Sequence, residues 1–150
     1  MCVLLKERDE TADKMSHETH ESQVPGELAA DISRMMVRLL REHTGRGPTK
    51  ARTTVGRDHV LVAVADTLTR GERTLVEGGY TEDVLRARRR FQDIMKPTAM
   101  AEVERLTGRK VAGFMSDNHI DPDMGVEVFL LEPSANGDGP TLVEGDGSPA

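Results

Sequence analysis

The sequence predicts a two-layer α+β domain, a four-stranded and mostly antiparallel sheet with helices on one face. Three observations predict it. Apolar residues recur at three- and four-residue spacing over 25–44 and again over 81–107. Two pairs of short β-rich runs, 50–55 with 59–65 and 111–117 with 125–131, are each joined by a turn. The resulting order is helix, hairpin, two helices, hairpin, or α-β-β-α-α-β-β.

The first helix opens at Pro25, a residue suited to a first turn, with Glu27 facing the positive helix end. Leu28, Ile32, Met35, Met36, Leu39, Leu40 and His43 form one apolar stripe, and Ser33, Arg34, Arg38 and Arg41 fall on the other side. Met35 and Met36 read as core rather than as an adaptable partner surface. Gly45 supplies the C-cap, and Gly47-Pro48 keeps the helix from resuming.

Lys50 to Val55 alternates, whereas His59 to Ala65 is apolar on both faces, as an interior strand requires. Thr69 and Glu72 have capping-box spacing and open a short helix to about Glu77, which Gly78-Gly79 ends. Thr81 is expected to cap a second helix with Glu82 and Asp83 in its first turn. Its expected buried stripe is Val84, Ala87, Phe91, Ile94, Met95, Thr98, Ala101 and Leu106, with a kink or break at Pro97 and closure at Gly108. Val111 to Asp117 and Gly125 to Leu131 are the last strands, joined by a loop from Asn118 to Asp123. Four strands covered on one face leave an open face and two edges, so a homodimer is expected.

The 150-residue chain carries a formal net charge of −6. Residues 1–26 hold three basic and six acidic side chains, residues 133–150 hold three acidic ones, and the remaining 17 of each sign cancel within 27–132. The acidity belongs to the tails, and the neutral domain carries no overall electrostatic footprint for nucleic acid. Residues 1–24 and 133–150 read as disordered tails around a domain at 25–132. Met15 is an alternative start to Met1. His17 and His20 in the first tail read as solvated rather than metal-binding. Cys2 is the only cysteine, so no intramolecular disulfide forms. No apolar run approaches the roughly 20 residues that span a bilayer, and the N-terminus lacks a signal-peptide pattern. The expected location is cytoplasmic, with any membrane association through a partner.

The turn Gly45-Arg46-Gly47-Pro48 lacks the Gly-Lys-Ser/Thr end of a phosphate loop and follows a helix C-terminus, whose dipole repels phosphate. It reads as a structural turn. Arg46, Lys50 and Arg52 nonetheless place three cations close together, a candidate site for a carboxylate, bicarbonate or phosphate. Asp117, His119 and Asp121, in the segment Ser116 to Asp123, are the second half of a candidate ligand site, although Asp, Asn and Pro are also ordinary turn residues. That segment lacks the glycine and terminal glutamate of a calcium loop, and no metal or cofactor is expected. Arg86, Arg88, Arg89 and Arg90 read as exposed helix surface, and with one tyrosine and three phenylalanines base stacking is poorly supplied. Catalysis has little support. Six serines and five histidines show no nucleophile elbow, Cys2 lies in a tail, and Ser116, Asp117 and His119 are near only in sequence.

Gly45-Arg46-Gly47-Pro48-Thr49-Lys50-Ala51-Arg52 resembles the MpsC-like domain family, the Na+-translocating membrane-potential-generating system MpsC domain. The resemblance continues through Leu68-Thr69, Glu72 and Leu75, then Arg90 to Asp93. It is strongest over Leu106 to Val111 and Phe114 to Asp123, and ends at Val128 to Glu132. It covers about residues 27–132, and Pro97 departs from the family's uninterrupted long helix. The resemblance implies a small soluble component of a membrane system that builds membrane potential and takes up inorganic carbon. It supplies no catalytic residues. The function expected is therefore a non-enzymatic accessory or regulatory domain, dimeric and associated with a membrane-protein partner. The alternative is a dimeric small-ligand or anion sensor using Arg46, Lys50, Arg52, Asp117, His119 and Asp121.

Overall fold

The computed structural model describes residues 25–135. The expected tails, with Cys2, Met15, His17 and His20, lie outside those residues except at 133–135. The order is α1 (Pro25–Thr44), β1 (Lys50–Val55), β2 (His59–Ala65), α2 (Arg70–Glu77), α3 (Thr81–Thr107), β3 (Val111–His119) and β4 (Met124–Leu131). The four strands form one antiparallel sheet in the order β1-β2-β4-β3. The expected α+β class is what forms, and the apolar β2 is interior.

Period-two alternation sorts the sheet into two faces. Val60, Val62 and Val64 of β2 and Phe129 and Leu131 of β4 point to the helices and are buried. They meet Ile32, Met35, Met36 and Leu39 of α1 and Met95, Ala99 and Val103 of α3 in one core. Phe114 of β3 packs on Phe129 across the strands, ring centroids 5.1 Å apart at 54°, the tilted geometry that aromatic quadrupoles favour. Ser33 of α1 shares a 2.7 Å hydrogen bond with Thr53 of β1, fixing α1 over that edge.

The caps explain the boundaries. Gly45 takes φ +79° and its N–H donates to Arg41 O, and Gly108 takes φ +67° and donates to Glu104 O. Both are left-handed closures that favour glycine. Thr69 and Glu72 form the expected capping box at α2. At α3 the N-cap is Tyr80, without a side-chain hydrogen bond, and Thr81 is the first helical residue. β3 runs two residues further than the sequence suggests, so Asn118 and His119 belong to the strand. Pairing of Asn118 with Gly125 and of His119 with Met124 extends the ladder there. The turn shrinks to Ile120–Asp123, and its Asp121–Pro122 peptide is cis.

The long helix departs most from expectation. It is a single element from Thr81 to Thr107, not broken at Pro97. Asp93, whose carbonyl loses its donor to the proline ring, and Pro97 both lie on the exposed side, where water can serve that carbonyl. Its buried stripe is Val84, Arg88, Gln92, Met95, Ala99 and Val103. Ala87, Thr98 and Ala101, assigned to the core by periodicity, are exposed, and Ile94 is 64% exposed. Truncating Met95 to Ala is expected to cost about 2–5 kcal/mol. Ile94→Ala should change stability by no more than about 0.5 kcal/mol. Urea unfolding followed by circular dichroism separates them, and equal losses would contradict this packing.

Candidate functional site

Two arginines tie the end of the sheet where β2 leaves and β3 turns. Arg88, on the inner side of α3 and only 8% exposed, grips Glu72 of α2 with a two-pronged fork. Its Nε donates to Oε1 at 2.9 Å and its Nη2 to Oε2 at 2.8 Å. Its Nη1 donates to Thr67 Oγ1 at 2.8 Å and to Asn118 Oδ1 at 3.1 Å. Thr67 passes its own proton to Asp123 Oδ1 at 2.6 Å, and Asp123 Oδ2 accepts from the Leu68 N–H. Burial alone would raise the Glu72 carboxyl, but Arg88 and the Thr69 N–H outweigh it and hold the group below its ordinary value. Burial pushes Asp123 the same way and is likewise overcome, by Thr67 and by the N–H groups of residues 67 and 68, so it too sits low.

Beside this knot Arg46 donates to Asp66 O, Leu68 O and Asp66 Oδ2. Thr49 and Arg73 donate to the same carboxylate at 2.9 and 2.7 Å. Thr49 and Arg46 lead in holding the Asp66 carboxyl below its usual range. Asp66 has a left-handed backbone, φ +55°, a conformation Asp tolerates better than most residues. A cavity of about 30 Å³ lies between the two arginines, room for a water or two. Both cations are engaged by protein oxygens, so the recess offers little to an anion.

The structure distributes the six predicted ligand residues. Arg46 is committed to Asp66. Lys50 and Arg52 project from edge strand β1 on the sheet face opposite the helices. Asp117 and His119 project on that same face from the other edge strand, β3. Three strand spacings separate the edges, about 14 Å, so the cations and the Asp117 group do not converge on one ligand within the chain. Asp121 lies exposed in the turn, and His119 Nδ1 donates to Pro122 O at 2.9 Å. Ser116 lies on the helix-covered face, opposite to Asp117 and His119, so the sequential Ser-Asp-His cluster is not a triad. Among the described residues no group of three His, Cys, Asp or Glu is placed to hold a metal ion. Sequence reasoning missed Thr67, Asp66, Arg73 and Asn118 in the knot and read Arg88 as surface. Only the Thr69/Glu72 capping box hinted that this corner is fixed.

A family model described as the Na+-translocating membrane potential-generating system, MpsC, matches residues 25–133. The chain belongs to the MpsC family. No match to it was found among curated proteins or among solved structures. In this MpsC chain the stretches that carry the resemblance come together in the knot: Arg46, the Leu68–Glu72 segment and the end of β3. No helix among the described residues is long and apolar enough to cross a membrane.

A second polar group lies deeper in the MpsC fold. Glu127 of β4 is 2% exposed and faces α3. Its Oε2 and the Oγ of Ser116, its cross-strand neighbour, are buried without a hydrogen-bond partner. Burial raises its carboxyl from about 4.5 to about 7. Below pH 4.5 both folded and unfolded chains are protonated at this position. Between about 4.5 and about 7 only the unfolded chain ionises, so folding stability falls as pH rises, and the loss is complete above that. Glu127→Gln stays neutral. Its stability relative to wild type should therefore increase across this window, by on the order of 3 kcal/mol at pH 8. Thermal unfolding of both proteins from pH 5 to 8 checks this, and parallel curves would contradict it.

Proposed function

We propose that this MpsC domain is a non-enzymatic accessory or regulatory component, cytoplasmic and homodimeric, that docks on a membrane-protein partner of a membrane-potential-generating system. The observation that carries the reading is the outer side of α3. Ala87, Phe91, Ile94, Thr98 and Ala101 recur there at alternating four- and three-residue spacing, with Ile94 64% exposed. That is the seam a partner helix packs against. Asp83, Arg86 and Arg90 line the same groove as Ala87, Phe91 and Ile94. The ion pair of Arg86 with Asp83, 2.9 Å, leaves Arg90 to favour an acidic rim on the partner helix.

The polar groups support a non-enzymatic role. The arginines of the knot are bonded to protein acceptors, and Ser116 and His119 lie on opposite faces of the sheet.

Affinity capture on the full chain from detergent-solubilised native membranes tests the reading. Wild type is expected to retain a polytopic membrane protein, Ile94→Asp to lose it with an unchanged melting temperature, and Arg89→Ala, on the other side of the helix, to keep it. Equal retention by wild type and Ile94→Asp, or no membrane protein with wild type, contradicts the proposal.

A further inference from the structure

The sheet face opposite the helices has nothing over it among the described residues. Its inner two strands present Leu61, Ala63 and Ala65 from β2 and Met124, Val126, Val128 and Leu130 from β4, with Met115 beside them on β3. Met115 is 54% exposed, and Met124 and Leu130 are each 41% exposed. Four strands and four outward rows make a face on the order of 400–600 Å². That approaches the per-partner area of a small specific interface, with the inner two strands as its apolar centre.

The charges on this face are sorted by edge. β1 contributes Lys50 and Arg52, neither in an ion pair within the described residues, and β3 contributes Asp117, whose carboxylate accepts only the neighbouring Asn118 N–H. The register aligns them in rows: Arg52, Ala63, Val126 and Asp117 in one, Thr54, Leu61, Val128 and Met115 in the next. Two copies of a sheet can meet face to face about a two-fold axis lying along the strands or across them. An axis across the strands sets β1 on β1 and gathers like charges at both edges. An axis along the strands keeps every row and sets β1 over β3. Arg52 of each copy then faces Asp117 of the other, Ala63 faces Val126, and Leu61 faces Val128. Sheets pack about 10 Å apart, within the combined reach of an arginine and an aspartate.

We infer that the open face is covered by a second copy of this chain, related by a two-fold axis parallel to the strands, with Arg52 paired to Asp117 of the second copy. This rests on the homodimer of the proposed function and adds its surface and orientation. Arg52 and Asp117, which sequence reasoning joined in one ligand site and the single chain holds apart, meet across this axis. The apolar rows supply the affinity, and the two charge pairs reject the alternative orientation.

Sedimentation equilibrium of the full chain, combined with peroxide oxidation of its methionines, tests the inference. Wild type should sediment at twice the 16.5 kDa chain mass, with Met115 and Met124 protected at dimer concentrations and oxidised on dilution. Arg52→Asp and Asp117→Arg should each weaken the dimer about tenfold or more, since each sets two like-charge pairs face to face. The double exchange Arg52→Asp/Asp117→Arg should restore it. A dimer indifferent to these changes, with Met115 and Met124 freely oxidised, would overturn the inference while leaving the homodimer standing on another surface, such as the β3 edge. A monomer with both methionines freely oxidised would overturn both. A monomer with both protected would mean that the chain's own tail covers the face, which also overturns both.

Discussion

The ion pair between Arg88 and Glu72 decides which side of the longest helix faces the sheet, and much of the outer surface follows from that choice. Glu72 is fixed locally, because it closes the capping box of α2 and its carboxylate accepts the Thr69 N–H. Arg88 must come inward to reach it, and Thr67 and Asn118 satisfy its remaining inward donors. Removing either partner of such a buried pair leaves a charge without compensation, typically a loss of about 3–5 kcal/mol. The stripe that α3 then buries, 84, 88, 92, 95, 99 and 103, is closely related to the apolar stripe 87, 91, 94, 98 and 101. Its middle four positions, 88, 92, 95 and 99, are 87, 91, 94 and 98 shifted by a single residue, a roll of about 100° about the helix axis.

That roll gives the domain a second exposed apolar surface besides the open sheet face. α3 shows Ile94 and its neighbours to solvent, and the sheet shows Met115, Met124 and Leu130. A domain with two such surfaces offers two places for contact. One surface lies on the flank of the helix layer and the other on the far face of the sheet, so a partner on α3 and a second copy on the sheet occupy separate residues. Docking through one and pairing through the other would present two α3 seams to one membrane assembly. This arrangement suits an accessory domain of the MpsC family.

Periodicity made most of the fold legible. The stripe of α1, the alternation of β1 and the two-sided apolar run of β2 each had a single interpretation, because no polar group competed for the buried positions. In α3 two polar residues, Arg88 and Gln92, occupy buried positions that hydrophobic counting assigns to solvent. The Arg88 site depends on Glu72, Thr67 and Asn118, 16 to 30 residues distant, a pairing that no local window contains. The separation of the candidate ligand residues within the chain has a similar reason. Closeness in sequence suggested convergence for Arg46, Lys50 and Arg52, yet Asp66 claims the first and strand geometry carries the other two to an edge. Residues 117 and 119 did share a face as alternation implied, but on the opposite edge. Glu127 was hidden within an apolar strand, where one carboxyl among six hydrophobic residues reads as an outward position.

The roll of α3 is the claim on which the docking surface rests, and thiol accessibility measures it most directly. In a Cys2→Ser background, single cysteines at positions 92 and 94 would be reacted with a soluble thiol reagent under native conditions. Position 94 is expected to react nearly as fast as an unstructured thiol and position 92 at least about a hundredfold more slowly, limited by transient opening. Comparable rates, or faster labelling at 92, would mean that α3 turns its Ile94 side to the sheet. The Arg88–Glu72 fork would then not set the helix as described.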